Sequence, residues 1–204
     1  VAKTSRATNG FFGVLLDPQS YLNMVYLLAA FPLGTFYFVF LVTGLSLGVG
    51  LSITLLGIPV LGVVFAATRA LCALERRIAN VVLKAEIPST SEREPVSGLW
   101  NQFKALLKDR TTWTGMLYLF IKFPLGIITF TVTVAFISAS LALISTPTVY
   151  PFVDIDFVFW QVTTWQGTLI FTLFGIMLLF VSFHLLNGLA LVSARLARMT
   201  LGKR

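Results

Sequence analysis

Few side chains in this chain could do chemistry in or beside a membrane. Lys122 stands directly before Phe123-Pro124, at the edge of a long uncharged stretch. An ammonium well inside a bilayer costs about 3 kcal/mol on insertion scales unless it escapes or pairs. It either snorkels to the headgroups or holds an anionic lipid headgroup or a partner's carboxylate. His184 falls midway along the last apolar stretch, with Asn187 following at helical spacing. Their use is an interhelical hydrogen bond or a proton-sensitive switch. Asp154 and Asp156 alternate in a connection that also holds Tyr150, Phe152, Phe157, Phe159, Trp160 and Trp165. That mixture suits a membrane interface or the ligand-facing surface of a sensor, while a Ca²⁺ site wants six or more oxygens. Trp100, Phe103, Lys104 and Lys108 form, with Lys122, a candidate contact for lipid or a protein partner.

Other chemistry lacks its residues. One His, one Cys and no clustered carboxylates within the apolar stretches leave no His/Cys metal set, no nucleophile with a base, and no phosphate-cradling glycine loop before a helix. The expectation is a non-enzyme with no catalytic residue, metal or cofactor. Cys72 is alone, so no disulfide forms within the chain; it is a small buried residue or a juxtamembrane palmitoylation site.

The elements that must carry these residues follow from the charges. All 15 Lys and Arg lie outside three uncharged stretches, Pro18 to Thr68, Phe123 to Val153 and Phe157 to Ala194. A spanning helix needs about 20 apolar residues, and basic loops stay in the cytoplasm. Basic residues flank the first stretch on both sides, so it crosses an even number of times, and Gly44, Gly48 and Gly50 sit where its turn is needed. The second stretch leads out, Asp154 and Asp156 lie outside, and the third returns. The expectation is an all-α membrane protein with four transmembrane helices in a prokaryotic cytoplasmic membrane, both termini cytoplasmic. A composition of 57% hydrophobic and 11% charged residues would not fit a small soluble core. The net charge of +7 needs no nucleic acid, because a positive-inside membrane protein acquires it automatically. Expected partners are the bilayer, anionic lipids on its cytoplasmic side, and other membrane or signalling proteins.

The chain also repeats itself. Shifting it by 92 positions lays Asp17 to Gly34 over Asp109 to Gly126 with 8 identities in 18 positions, ending in Phe-Pro-Leu-Gly twice. Tyr21/Trp113 and Leu15/Leu107 are similar or identical pairs in the same register. Each half reads as a short amphipathic helix, a span bent at Pro32 or Pro124, and a return span ending in basic residues. Gly98 to Arg110 places Leu99, Trp100, Phe103, Leu106 and Leu107 at helical spacing, opposite Lys104 and Lys108. It is an interfacial helix or an ordinary amphipathic helix packed on protein. One membrane domain, 1–204, thus holds two parallel helical-hairpin repeats at about 10–84 and 97–199, joined by a cytoplasmic linker over 85–96. Gly44/Gly48 and Ser138/Ala142 are small-xxx-small pairs suited to close helix packing.

Tyr26-Leu27 leading into Phe31-Pro32-Leu33-Gly34, then Thr43 to Gly48, Leu56-Gly57-Ile58-Pro59, Arg69, Glu75-Arg76, Asp109-Arg110, Trp113, Tyr118 and Phe123 to Gly126, resembles a known family. It is the multi-pass sensor domain found at the N-terminus of bacterial and archaeal signalling proteins, often ahead of a histidine kinase. The resemblance runs from about Tyr21 to about Arg195 and implies a sensor-like module. Nothing follows Arg204, so the output is expected to pass to a separate partner. The alternative is a structural or accessory subunit of a larger membrane complex.

The topology is open to cysteine labelling. In a variant lacking Cys72, cysteines at Lys3 or Ser91 should be protected from an impermeant thiol reagent in intact cells. Labelling of either from outside excludes the four-span arrangement.

Overall fold

The computed structural model describes residues 11–54, 56–88, 104–105, 107–150, 155–157, 160–162 and 165–202. Four long helices carry the chain: α1 (Pro18–Gly50), α2 (Gly57–Val82), α3 (Arg110–Val149) and α4 (Trp165–Leu201). All four are long and apolar enough to cross a membrane, as expected of a multi-pass membrane protein. Between α3 and α4, where a loop was expected, Ile155–Phe157 (β1) and Trp160–Val162 (β2) pair antiparallel, Asp156 opposite Gln161. Asp156 and Trp160 therefore sit on a short ladder, and Asp154 lies outside the described residues.

Helix α1 begins because Asp17 caps it. The Asp17 carboxylate accepts the Gln19 N–H at 3.0 Å, and Pro18 occupies the first helical position, where no N–H is missed. The Tyr21 hydroxyl ties the preceding 3-10 turn, Phe11–Leu15, to the helix by donating to the Leu15 carbonyl at 2.9 Å. Helix α3 opens the same way. Asp109 accepts the Thr111 N–H at 3.1 Å, and the Trp113 indole donates to the Leu107 carbonyl at 2.9 Å. Every partner in the second set is 92 positions beyond its counterpart in the first.

The turn of the first hairpin comes later than its glycines suggest. Helix α1 runs through Gly44 and Gly48 to Gly50, and the reversal uses Leu51–Thr54. The glycines serve packing instead. A Cβ on Gly44 would meet Val64 Cγ2 at 2.7 Å, and one on Gly48 would run into Leu61. Helix α2 then continues well past Thr68, where the uncharged stretch ends, carrying Arg69, Glu75, Arg76 and Arg77 inside the element. Its buried positions, Val64, Phe65, Thr68, Cys72, Glu75 and Ala79, recur at helical spacing, so Glu75 lies in the apolar stripe.

Packing divides the chain into two compact units. In the unit formed by 1–25 and 131–188, the Asn187 amide donates to Ser20 Oγ at 3.0 Å and accepts from Asn23 at 2.9 Å. Tyr21 packs edge-on against Phe183, and Ser140 and Ser182 share a hydrogen bond. The expected pair Ser138/Ala142 is exposed; the buried serine of that stretch is Ser140, two positions away.

In the unit formed by 26–130 and 189–204, α1 and α3 meet backbone to backbone. A Cβ on Gly34 would lie 2.8 Å from the Lys122 carbonyl, and one on Gly126 would lie 2.5 Å from the Ala30 carbonyl. Phe38 stacks on Phe123 at 4.6 Å between centroids, and Phe31 approaches Phe130 at 5.1 Å. Exchanging positions 92 apart turns each of these contacts into the other. Pro32 and Pro124 lie within α1 and α3, two residues before the crossing glycines. At the end of α2, Asn80 clasps the backbone of Ile87 with two bonds, and Arg198 Nε donates to the Ala85 carbonyl at 2.7 Å. The first residues of the expected linker are thus held, with Ala85 and Ile87 buried. Lys84 and Glu86 adopt φ near 50° to alternate with them.

The crossing yields a matched pair of substitutions. Gly126→Ala should cost about 1–3 kcal/mol, because its methyl meets backbone that cannot step aside. Gly188→Ala has open space and should be neutral or stabilising by up to about 1 kcal/mol. Unfolding in mixed micelles measures both, and equal effects would dismiss the close crossing.

Candidate functional site

Glu75 is fully buried on α2, and burial of a lone carboxylate would cost several kcal/mol even after relaxation. Four donors offset that cost. Lys122 Nζ of α3 forms an ion pair with Oε1. The hydroxyls of Tyr26 and Tyr118 donate to the same oxygen at 3.3 and 3.4 Å, and that of Tyr37 to Oε2 at 3.0 Å. Three donors thus converge on Oε1 and one reaches Oε2. Lys122, only 1% exposed, also donates to Tyr26 Oη at 2.6 Å and lies 4.4 Å from the centre of that ring. All five residues belong to the same compact unit.

Helical spacing explains why these side chains converge. Tyr26 and Tyr37 are about three turns apart on α1, and Tyr118 and Lys122 about one turn apart on α3, so each pair shares a face. The glycine crossing brings the Lys122 backbone against α1, within reach of Tyr26. Tyr26 and Tyr118 are equivalent under the 92-residue shift, whereas Lys122 corresponds to Ala30 and Tyr37 to Thr129. The 92-residue correspondence therefore holds for Tyr26 and Tyr118 but not for the charge.

Lys122, expected at the headgroups or on an anion from outside the chain, instead pairs internally with Glu75. The carboxylate was missed because the uncharged stretch ends at Thr68 and Glu75 sits among arginines. Its place in the stripe Phe65, Thr68, Cys72, Ala79 was the available signal. The other expected residues are dispersed. Lys104 and Lys108 are exposed in a helical turn, while Trp100 and Phe103 lie outside the described residues. Asn187 makes the interhelical bonds expected of its position, but His184 is exposed and donates from Nδ1 to its own helix, at the Phe180 carbonyl.

The centre contains acid, base and phenols, and Glu75 and Lys122 are both buried. A cavity of about 190 Å³ lies in the same unit, lined by residues of α2, the first turns of α3 and the end of α4. Arg69 at its wall pairs with Asp109 at 2.6 Å.

Among known proteins, a family model described as "Putative sensor" matches residues 26–201. No curated protein and no solved structure matches the chain.

The buried pair predicts strong coupling. Glu75→Gln or Lys122→Met alone should destabilise by about 3–5 kcal/mol, since each leaves a group without its counter-charge. The double variant should cost much less than the sum of the two. Additive losses in an unfolding cycle would dissociate the two charges.

Proposed function

The chain belongs to this sensor family, and from that premise we propose a non-enzymatic membrane module that relays a change of state to a separate protein. The observation that carries the reading is the Glu75–Lys122 centre. Opposite charges enclosed in a span are weak contributors to stability, because apolar residues of similar volume often serve as well or better. Ionisable groups buried among membrane-spanning helices are a default mark of function. Any event that separates or neutralises the pair leaves a charge uncompensated and disfavours the packing of α1, α2 and α3 around it. That coupling is what a relay requires.

The finer architecture belongs to the same proposal. The shared caps, the shared aromatic ties and the interchangeable crossing contacts support two hairpin repeats, α1–α2 and α3–α4, running parallel through a prokaryotic cytoplasmic membrane. In this arrangement the arginine-rich end of α2 and both termini face the cytoplasm, where Lys104 and Lys108 meet anionic headgroups. A bend at Pro32 and Pro124, beside the glycine crossing, would let the two spans respond together.

The competing reading is a structural subunit of a larger membrane complex. It is favoured by broad apolar faces such as Leu173, Phe174 and Met177, which suit neighbouring helices as well as lipid. Cross-linked purification from native membranes separates the two, using wild type and the Glu75→Gln/Lys122→Met variant. A relay predicts a signalling protein recovered with wild type and reduced roughly tenfold with the variant, equivalent to about 1.4 kcal/mol of coupling. Stoichiometric integral subunits, recovered equally with both, would establish the structural role instead.

A further inference from the structure

The cavity at the arginine-bearing end of α2 is built for an anion. Its wall contains Arg69, Arg76, Thr112 and Thr200. At about 190 Å³ it far exceeds the roughly 10–15 Å³ that one water needs. Two polar atoms at this wall are buried without a partner, Arg76 Nε and Thr112 Oγ1. Thr112 is only 1% exposed, so its hydroxyl cannot turn to bulk water.

The unmet hydroxyl of Thr112 is unlike its neighbours. Other hydroxyls on these helices bond the carbonyl a turn earlier, as Thr68 does with Val64 and Thr200 with Leu196. The counterpart of Thr112 under the 92-residue shift is Ser20, whose Oγ accepts a bond from the Asn187 amide at 3.0 Å. In one repeat position the chain supplies the partner; in the other it leaves a cavity.

Charge selects what could fill it. Arg69 and Arg76 bring two positive charges, and Asp109, which pairs with Arg69, removes one, leaving one in excess. Arg76 spends a terminal nitrogen on the Leu201 carbonyl at 3.0 Å, which holds its guanidinium at the wall while Nε stays free of a partner. Glu75, next in sequence, is engaged by its own four donors. A cation would be repelled, and a neutral ligand would leave the excess charge uncompensated. A compact oxyanion with several acceptors satisfies a guanidinium and hydroxyls together. We propose that this cavity binds a phosphoryl group, presented by a lipid headgroup or by a soluble phosphate. The site stands independently of the Glu75–Lys122 centre and of any relay.

The test uses the full chain in nanodiscs of phosphatidylcholine. One arm adds inorganic phosphate against chloride at equal ionic strength, and the other dopes the disc with phosphatidic acid; thermal unfolding and ³¹P resonance read both. Stabilisation by phosphatidic acid alone identifies a headgroup site, and stabilisation by phosphate identifies a soluble ligand; either supports the proposal. Arg76→Gln should weaken binding by roughly tenfold or more, the loss expected of a charge-assisted bond. Thr112→Val should weaken it by a smaller factor while leaving the ligand-free protein as stable as wild type or more so, because a buried unpaired hydroxyl is removed. No response to either probe overturns the site. So does a response equal in wild type and both variants, which reports surface charge at residues such as Lys104 and Lys108.

Discussion

A carboxylate and an ammonium enclosed where little water can reach them govern the larger compact unit of this protein. The low dielectric that strengthens their attraction also makes an unpaired member costly, so the surroundings must deliver each donor to its place. Tyr26 and Tyr37 come from α1, Tyr118 and Lys122 from α3, and Glu75 from α2. The backbones can approach closely enough only because Gly34 and Gly126 have no Cβ. Larger residues there would push the helices apart, and the ammonium would lose contact with Tyr26 before any side chain in the centre had changed.

Residues 92 positions apart recur in the frame, and the chemistry lies where they differ. The caps at Asp17 and Asp109, the ties from Tyr21 and Trp113, and the aromatic pairs at the crossing use equivalent residues. The caps and ties depend on local backbone geometry, which the same short sequence reproduces wherever it recurs, whereas the aromatic pairs come from the crossing of α1 and α3. Two of the positions that differ face other elements. Ala30 becomes Lys122 and creates a charge for Glu75, while Ser20 becomes Thr112 and exchanges an internal amide partner for a cavity. A single frame thus holds a sealed polar centre and an open one within a few turns of α2.

The contrast between these two centres is physical. At Glu75 four donors from the chain surround the carboxylate, so the centre can be perturbed but is already supplied with partners. At Arg76 and Thr112 the chain leaves one donor each unmet beside the cavity. Buried polar groups are almost always paired, so orphaned donors beside an adequate cavity indicate a missing partner. Family membership points to sensing, and the cavity adds a chemical class that the family description does not contain.

Much of the scaffold was legible in the amino-acid order. Uncharged length, basic flanks and overall apolarity require a multi-pass membrane protein of four helices, because lipid tolerates neither bare charge nor unpaired backbone. Asp17-Pro18 and Asp109-Arg110 mark helix starts, and the 92-residue identity exposes a shared local frame; both depend on near neighbours in the chain. Periodicity could even place Glu75 on the apolar stripe of α2. What it could not provide was the partner opposite, since a helical face is a direction and the residue it meets depends on how three helices rotate and cross. Tertiary structure therefore decided that Lys122 turns inward to Glu75, that Gly44 and Gly48 pack within a hairpin, and that His184 is exposed and bonds the Phe180 carbonyl. It also decided that Thr112 alone of its repeat pair faces a space, because pairing across helices is a property of packing and no local sequence encodes it.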